Sequence, residues 1–186
     1  MWEQTICVTN RHLAAHPYLT QLERAIAREP HALILREKDI SEEAYRGLLE
    51  KVKDMCEGTE VLLIPHTYLD AALDCGIHHI HLPMRKFLAL TDEQRAAFDM
   101  IGVSTHTVEE AIAAEKLGAD YVITSHIFPT DCKMGVPPRG LTHLHDVCEA
   151  VSIPVYALGG IHPDNADLCF EQGAAGVAMM SEYMRL

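Results

Sequence analysis

The sequence predicts a single α/β domain over residues 1–186, folded as a (β/α)8 TIM barrel with a truncated last helix. Eight short, apolar, β-branched runs alternate with amphipathic segments, and eight is the number of parallel strands that closes such a barrel. In addition, no linker, repeat or low-complexity tract divides the chain, of which 48% is hydrophobic. A doubly wound open sheet is the alternative that the same alternation allows.

The predicted strands are short runs rich in Val, Ile, Leu and Thr. They cover residues 5–8, 32–36, 60–64, 78–82, 100–104, 121–125, 154–158 and 176–180. Helical periodicity between them covers residues of about 18–29, 41–57, 67–75, 91–98, 107–118, 140–151 and 163–173. Ser41 is placed to begin the second of these helices, and Gly76 and Gly118 are placed to end the third and the fifth.

Residues 181–186 follow the eighth predicted strand and leave room for barely one turn of helix. The flank between the last strand and the first is therefore expected to be uncovered. Apolar surface of that kind usually binds a partner. The sequence thus predicts a homo-oligomer.

Composition argues against several functions. A net charge of −12 disfavours nucleic acid as a partner, because phosphate backbones are bound by basic surfaces. No apolar run approaches the ~18–20 residues needed to cross a bilayer, and no signal segment stands at Met1. The six cysteines include no Cys-x-x-Cys pair, which favours reduced thiols in the cytoplasm over a disulfide framework or a zinc site.

The segment that begins at His126 carries the clearest sign of chemistry. It follows the apolar strand 121–125 and forms a polar loop, interrupted by glycine and proline, that contains Lys133. Catalytic residues of α/β barrels lie where strands end and loops begin. His126 is therefore the candidate acid/base, although a histidine that only shapes the pocket fits the same pattern. Cys132 is interpreted as a loop residue, since the sequence shows no base to accompany it.

Two cations stand at the end of the second strand. Arg36 and Lys38 share one face of that strand and can point together into the barrel mouth. Phosphate or carboxylate is the ligand chemistry that suits them. A solvated strand end is the alternative.

The ends of strands seven and eight favour a phosphate. Gly159 and Gly160 follow strand seven, while Met180 and Ser181 end strand eight ahead of a helix start. Backbone amides at glycine and at a helix N-terminus can approach an anion closely. Loops at these two places are the usual phosphate site of the barrel fold.

Polar side chains recur at the other strand ends. Ser104 and His106 alternate onto one face, Thr124 and His126 are predicted to do the same on the next strand, and His66 follows strand three. The twelve histidines make a metal site an alternative. His-x-His at strand spacing without a carboxylate is more often structural, so no metal ligand is predicted.

These motifs together resemble the thiamine phosphate synthase/TenI superfamily. The matching segments occur in family order over nearly the whole chain, at residues 35–38, 81–83, 104–106, 126–135, 159–161 and 180–181. The resemblance implies a (β/α)8 barrel. It also implies that the ligands are the thiazole and pyrimidine phosphates of thiamine biosynthesis.

Two chemistries compete within this superfamily. The synthase joins a pyrimidine diphosphate to a thiazole phosphate and requires Mg²⁺, which aspartates hold after strand three and shortly after strand four. This chain has His66 and Thr67 at the first position and Lys86 near the second. Since Mg²⁺ needs hard carboxylate oxygens, the resemblance implies that the metal is lost. Mg²⁺ would be required only if the synthase alternative holds.

The TenI-like thiazole tautomerases aromatise a carboxythiazole phosphate without a metal or other cofactor. Their strand-six motif is His-x-Phe-x-Thr-Asp-Cys-Lys-x-Gly, which the loop after strand six reproduces. The resemblance makes His126 the acid/base and places the phosphate on the glycine pair and the Ser181 amide. The resemblance implies that the substrate's other negative charges bind Lys133, or Arg36 and Lys38. A further alternative is a regulatory barrel that binds thiazole or thiamine phosphate and catalyses no reaction.

Overall fold

A computed structural model describes residues 5–130 and 135–186. Eight parallel strands form one sheet, and helices lie in the connections between them. The strands are β1 Thr5–Val8, β2 Ala32–Leu35, β3 Leu62–Pro65, β4 His79–Pro83, β5 Met100–Thr105, β6 Tyr121–Ser125, β7 Val155–Leu158 and β8 Gly176–Met179. The helices are α1 Tyr18–Ile26, α2 Glu42–Cys56, α3 Leu69–Asp74, α4 Met84–Leu88, α5 Asp92–Ala96, α6 Val108–Lys116, α7 Gly140–Ala150, α8 Ala166–Phe170 and α9 Ser181–Met184.

The sheet closes on itself as a barrel. Its strand order is β3-β2-β1-β8-β7-β6-β5-β4, so the first and last strands are hydrogen-bonded neighbours. The seam between β3 and β4 is joined by one bridge, between His66 and His81. His79 strengthens this seam, because its Nε2 donates to the Leu63 carbonyl at 2.8 Å. The predicted barrel is confirmed and the doubly wound alternative is wrong.

The core has two layers, as alternation along barrel strands requires. One layer lies inside the barrel and contains Ile6, Ile34, Tyr121 and Ile123, all buried. The larger layer lies between strands and helices. Burial of both faces explains why the strands are continuously apolar in sequence instead of alternating with polar residues.

The predicted strands agree with the structure within two residues at each end, and the helices differ more. Ser41 begins α2 as predicted, since its side chain accepts from the Ala44 amide at 3.2 Å. Gly76 and Gly118 follow α3 and α6 at positive φ. The short helix α4 was not predicted, because Pro83 and two cations interrupt its apolar pattern.

The prediction that the flank between β8 and β1 is uncovered is wrong. Helix α9 lies there with Tyr183 and Met184 fully buried. Gln21 of α1 donates from Nε2 to the Tyr183 carbonyl at 2.7 Å, and the Ala15 amide donates to the Met184 carbonyl at 2.9 Å. One helical turn therefore suffices to cover this flank when α1 packs against it.

Within residues 5–130 and 135–186, no helix has the length and apolar character needed to cross a membrane.

Candidate functional site

The carboxyl ends of β2, β3 and β4 surround a pocket of about 240 Å³. Active sites of (β/α)8 barrels lie at this end of the strands. The pocket wall comes from the loops that follow these three strands and from the start of α4. It is lined by Glu37, Lys38, Thr67, Tyr68, Pro83, Arg85 and Lys86.

The residues after β2 point in different directions. Lys38 lines the pocket. Arg36 lies near the barrel interior, where burial lowers the pKa of both His66 and His81 and the charge of Arg36 lowers it further. Glu37, which stands between Arg36 and Lys38 in the chain, is buried in the fold. It accepts hydrogen bonds from Thr9 Oγ1 at 3.1 Å and from the Tyr18 hydroxyl.

Glu37 also belongs to an ion-pair network on the β1 side. The guanidinium of Arg11 contacts Glu37 Oε2 at 3.3 Å and both carboxylate oxygens of Asp39 at 2.6 and 2.7 Å. Both oxygens of Glu37 are thus engaged by hydroxyl or guanidinium donors. This carboxylate fixes the β1 and β2 ends against each other.

The turn after β3 has an uncommon backbone. Thr67 has a φ of 75°, in the left-handed region that β-branched residues rarely enter. The Tyr68 amide donates to the His66 carbonyl at 3.0 Å, which closes a γ-turn around Thr67. The Thr67 hydroxyl lies 2.6 Å from His66 Nδ1, and Thr67 lines the pocket.

Two histidines stack inside the barrel below this turn. The ring centroids of His66 and His81 are 5.8 Å apart with an interplanar angle of 27°. Burial, with the charge of Arg36, lowers the pKa of His81 to about 3, and burial lowers the pKa of His66 well below its usual range. Both rings are therefore neutral near pH 7 and cannot serve as cations for an anion.

Ser104 points into the barrel as predicted, but towards His81. Its Oγ lies 2.8 Å from His81 Nε2, while the Tyr121 hydroxyl lies 3.1 Å from His81 Nδ1. Burial raises the pKa of Tyr121, so this phenol stays protonated. The three side chains form a hydrogen-bonded group across β4, β5 and β6.

His106 and Thr124 do not share an environment. His106 Nδ1 lies 3.0 Å from the Ser125 carbonyl and must donate to it, since a carbonyl only accepts. Thr124 faces outward, and its Oγ1 lies 3.0 Å from His143 Nε2 on α7. The predicted match of Thr124 to the face of Ser104 is wrong, because Ser104 pairs with Ile123 and Thr124 points away from the interior.

His126 follows β6 and is buried. Its Nε2 lies 3.2 Å from the Val136 carbonyl, so this nitrogen carries the proton in the neutral ring. The lone pair of the neutral ring is then on Nδ1. The Arg139 amide donates to the His126 carbonyl at 2.9 Å and fixes the far end of the loop.

The glycine pair after β7 packs directly against the His126 segment. A Cβ on Gly159 would lie 2.3 Å from the His126 Cβ, and one on Gly160 would lie 2.3 Å from the Pro129 carbonyl oxygen. Both glycines also have positive φ, at 105° and 65°. The two strand ends can approach this closely because these positions carry no side chain.

Met180 and Ser181 lie at the start of α9. Met180 packs against the interior layer of the barrel, and its sulfur accepts from Asn10 Nδ2 at 3.7 Å. Ser181 is the first residue of α9. Lys133 and Cys132 lie outside the described residues.

One wall of the pocket was not predicted from the sequence. Arg85 and Tyr68 line it, and neither was a candidate. Arg85 could have been predicted, because Arg85 and Lys86 follow the end of β4 as two other cations follow the end of β2. Lys86, noted only as a departure from a metal ligand, is a pocket residue as well.

The residues of this pocket do not fit Mg²⁺, which prefers hard carboxylate oxygens. The pocket offers the Thr67 hydroxyl and three cationic side chains, and its carboxylate, Glu37, is already held by Arg11, Thr9 and Tyr18. Within residues 5–130 and 135–186, no three His, Cys, Asp or Glu side chains lie together as a metal would require.

Fold and pocket define the class of protein: an α/β barrel whose ligand pocket lies at the carboxyl ends of its strands. The chain belongs to the family described as thiamine monophosphate synthase (TMP-TENI), which matches residues 5–183. The family resemblance read from the motifs is thereby confirmed. The names of its members are relevant to the choice between the synthase and the tautomerase reactions.

Named relatives are synthases. The thiamine-phosphate synthase 2 of Streptococcus pneumoniae is 32% identical over 180 residues, covering 96% of this chain and 86% of that protein. A thiamine-phosphate synthase of Coprothermobacter proteolyticus is 34% identical over 167 residues, covering 89% and 79%. Among solved structures, a thiamine phosphate pyrophosphorylase from Pyrococcus furiosus superposes with a TM-score of 0.83 at 27% identity, covering 98% of this chain and 87% of that one.

Proposed function

We propose that this protein is a thiazole tautomerase of thiamine biosynthesis, which aromatises a carboxythiazole phosphate by proton transfer through His126. The reaction is an isomerisation. A proton leaves the ring carbon that bears the carboxylate, and a proton is delivered to the exocyclic carbon. Atoms and charge balance without a redox partner, and the gain of aromaticity drives the reaction.

The position of His126 carries this proposal. Its Nε2–H donates to the Val136 carbonyl, which leaves the Nδ1 lone pair as the proton acceptor of the neutral ring. Imidazole is the side chain suited to accept and release a proton in turn near neutrality. Positioned acid/base groups of this kind typically contribute about 10²–10⁴-fold to a rate.

The substrate's charges are assigned to the mouth of the barrel. Its phosphate would bind the amides of Gly159, Gly160 and Ser181, the usual phosphate position of the fold. Arg36, Lys38 and Lys133 are the cations assigned to the remaining negative charge. His66, Ser104, His106 and Met180 are proposed to line the ligand.

The chemistry of the pocket supports a reaction without a metal. The positions after β3 and β4 carry Thr67 and Lys86, with Arg85 beside it, in place of carboxylates. A divalent ion would be repelled by these cations, whereas acid/base chemistry at His126 needs no metal.

Thiamine-phosphate synthase activity is the second candidate, and the names of the relatives favour it. It would couple a pyrimidine diphosphate to a thiazole phosphate and release pyrophosphate. A non-catalytic barrel that binds the same phosphates predicts neither reaction.

One pair of assays separates these functions. The purified protein is incubated with the non-aromatic carboxythiazole phosphate in EDTA, and aromatisation is followed by NMR. In parallel, it is incubated with the pyrimidine diphosphate and thiazole phosphate in MgCl₂, and pyrophosphate release is measured. Aromatisation in EDTA supports the tautomerase. Pyrophosphate release without aromatisation contradicts it in favour of the synthase, and neither reaction would indicate the binding barrel.

A further inference from the structure

We propose that the pocket at the ends of β2, β3 and β4 binds an oxyanion of the ligand directly through Lys38, Arg85 and Lys86, and that no divalent metal takes part. The inference rests on the proposed function for the identity of the ligand. The ligand's carboxylate would occupy the pocket, since its phosphate is assigned to the amides of Gly159, Gly160 and Ser181. The chemistry of binding rests on the pocket itself.

Three cations converge on one small cavity of a chain whose net charge is −12. A cleft lined by one sign of charge attracts ligands of the opposite sign, even on a molecule of unfavourable net charge. The pocket's carboxylate, Glu37, does not cancel this field on its own, since Arg11 lies 3.3 Å from its Oε2. The cavity wall therefore carries an excess of positive charge.

Arg85 and Lys86 are not paired with acids elsewhere in the described part of the chain. Ion pairs within 4.0 Å among residues 5–130 and 135–186 involve Arg11, His12, Arg46 and His162. A neighbouring depression of about 210 Å³ shares Lys86, but it also contains Glu42 and Asp70. The first pocket is therefore the one suited to an anion.

The backbone of Thr67 supports a ligand site at this place. Its φ of 75° is a conformation that β-branched residues rarely adopt, and such conformations cluster at ligand-binding positions. The γ-turn places both Thr67 and Tyr68 on the pocket wall. With the His66 proton on Nδ1, that nitrogen donates to the Thr67 hydroxyl, which can then donate to an oxyanion beside the three cations. The Tyr68 hydroxyl donates to the Ile40 carbonyl at 2.7 Å and contributes to the wall without binding the anion.

Size limits what the pocket can hold. Pockets for whole small molecules measure roughly 300–1,000 Å³, whereas this one measures about 240 Å³. It therefore suits one charged group of a ligand, with the rest of the ligand outside it over the barrel mouth.

The test is calorimetric titration of the full-length protein with inorganic pyrophosphate, and separately with oxalate, in EDTA and in MgCl₂. The variant Arg85→Gln/Lys86→Gln removes two pocket charges. Its matched control is Arg28→Gln/Lys51→Gln, which removes two charges from exposed positions outside the pocket, one in the turn after α1 and one in α2. Oxalate stands for the carboxylate of the ligand, and pyrophosphate is a probe oxyanion of higher charge.

We expect at least one probe to bind in EDTA, and the pocket variant to bind it about tenfold or more weakly, the effect of losing charge-assisted hydrogen bonds. The control should bind as the wild type does. Binding that requires Mg²⁺, or that is equal in the pocket and control variants, would overturn the inference. Probe binding is measured without the aromatisation reaction. Failure of this inference is therefore seen in the calorimetry, and failure of the tautomerase assignment is seen in the NMR assay.

Discussion

At the scale of single residues, His126 owes its position to glycines on a neighbouring strand end. Gly159 leaves no room for a side chain, since a Cβ there would lie 2.3 Å from the His126 Cβ. The sequence allowed Gly159 and Gly160 to be read as phosphate-binding amides, and they remain candidates for that role. Their contact with the 126–129 segment could not be predicted, because it depends on the register between β6 and β7.

Substitution at this contact should be costly. Gly159→Ala places a methyl group inside contact distance and at a φ of 105°, so we expect the free energy of unfolding to fall by about 3 kcal/mol or more. Gly47→Ala is the control, because Gly47 lies in α2 with nothing within 4 Å of its added Cβ. It should raise stability by about 0.5–1 kcal/mol through helix propensity. Urea unfolding measures both, and equal effects of the two substitutions would be inconsistent with the described packing.

At the scale of elements, the strands were predictable and the ends of several helices were not. Burial on both faces makes each strand a continuous apolar run, which the sequence displays directly. The end of α1 illustrates the difficulty: periodicity continued to residue 29, but the helix ends at Ile26. Glu29 adopts a φ of 52° ahead of Pro30, a local turn that hydrophobic periodicity does not encode.

The turn after α1 provides a test of this geometry. Glu29 is exposed and its left-handed backbone costs a non-glycine residue about 1–2 kcal/mol. Glu29→Gly should therefore stabilise the protein by about 0.5–1 kcal/mol, after the entropy that glycine loses on folding. Glu29→Ala retains the backbone cost and should give no such gain. Thermal unfolding of the two variants in one buffer distinguishes them, and an equal or larger gain for Ala would count against the assigned turn.

At the scale of the whole molecule, eight strands and their order follow from the sequence, whereas the covering of the last flank does not. The short α9 was expected to leave that flank open, but burial of Tyr183 against α1 closes it. The homo-oligomer therefore stays a prediction, but the uncovered flank from which it was inferred is absent between β8 and β1. Light scattering of the purified protein measures the state of association.

The barrel interior predicts a dependence of stability on pH. Burial lowers the pKa of His66 and of His81, the latter to about 3, so the folded protein keeps both rings neutral while the unfolded chain protonates them below about pH 6.5. The unfolded state then binds more protons, and stability falls as pH falls. Between pH 7.5 and 5.5 we expect a loss on the order of 1 kcal/mol for each histidine.

Urea unfolding at the two pH values tests this expectation. His81→Gln removes one titrating ring, so its loss of stability on acidification should be smaller than that of the wild type by about 1 kcal/mol. A wild-type protein equally stable at pH 7.5 and 5.5 would show that these rings are not held neutral by the fold.

The central claim is that His126 moves the proton, and one measurement tests it most directly. Aromatisation of the carboxythiazole phosphate in EDTA is followed for the wild type, for His126→Gln and for His145→Gln, an exposed histidine of α7. Glutamine can still donate to the Val136 carbonyl but has no basic nitrogen. We expect the rate to fall by about 10²–10⁴-fold in His126→Gln and to be unchanged in His145→Gln. Full activity in a folded His126→Gln protein would contradict the proposed mechanism.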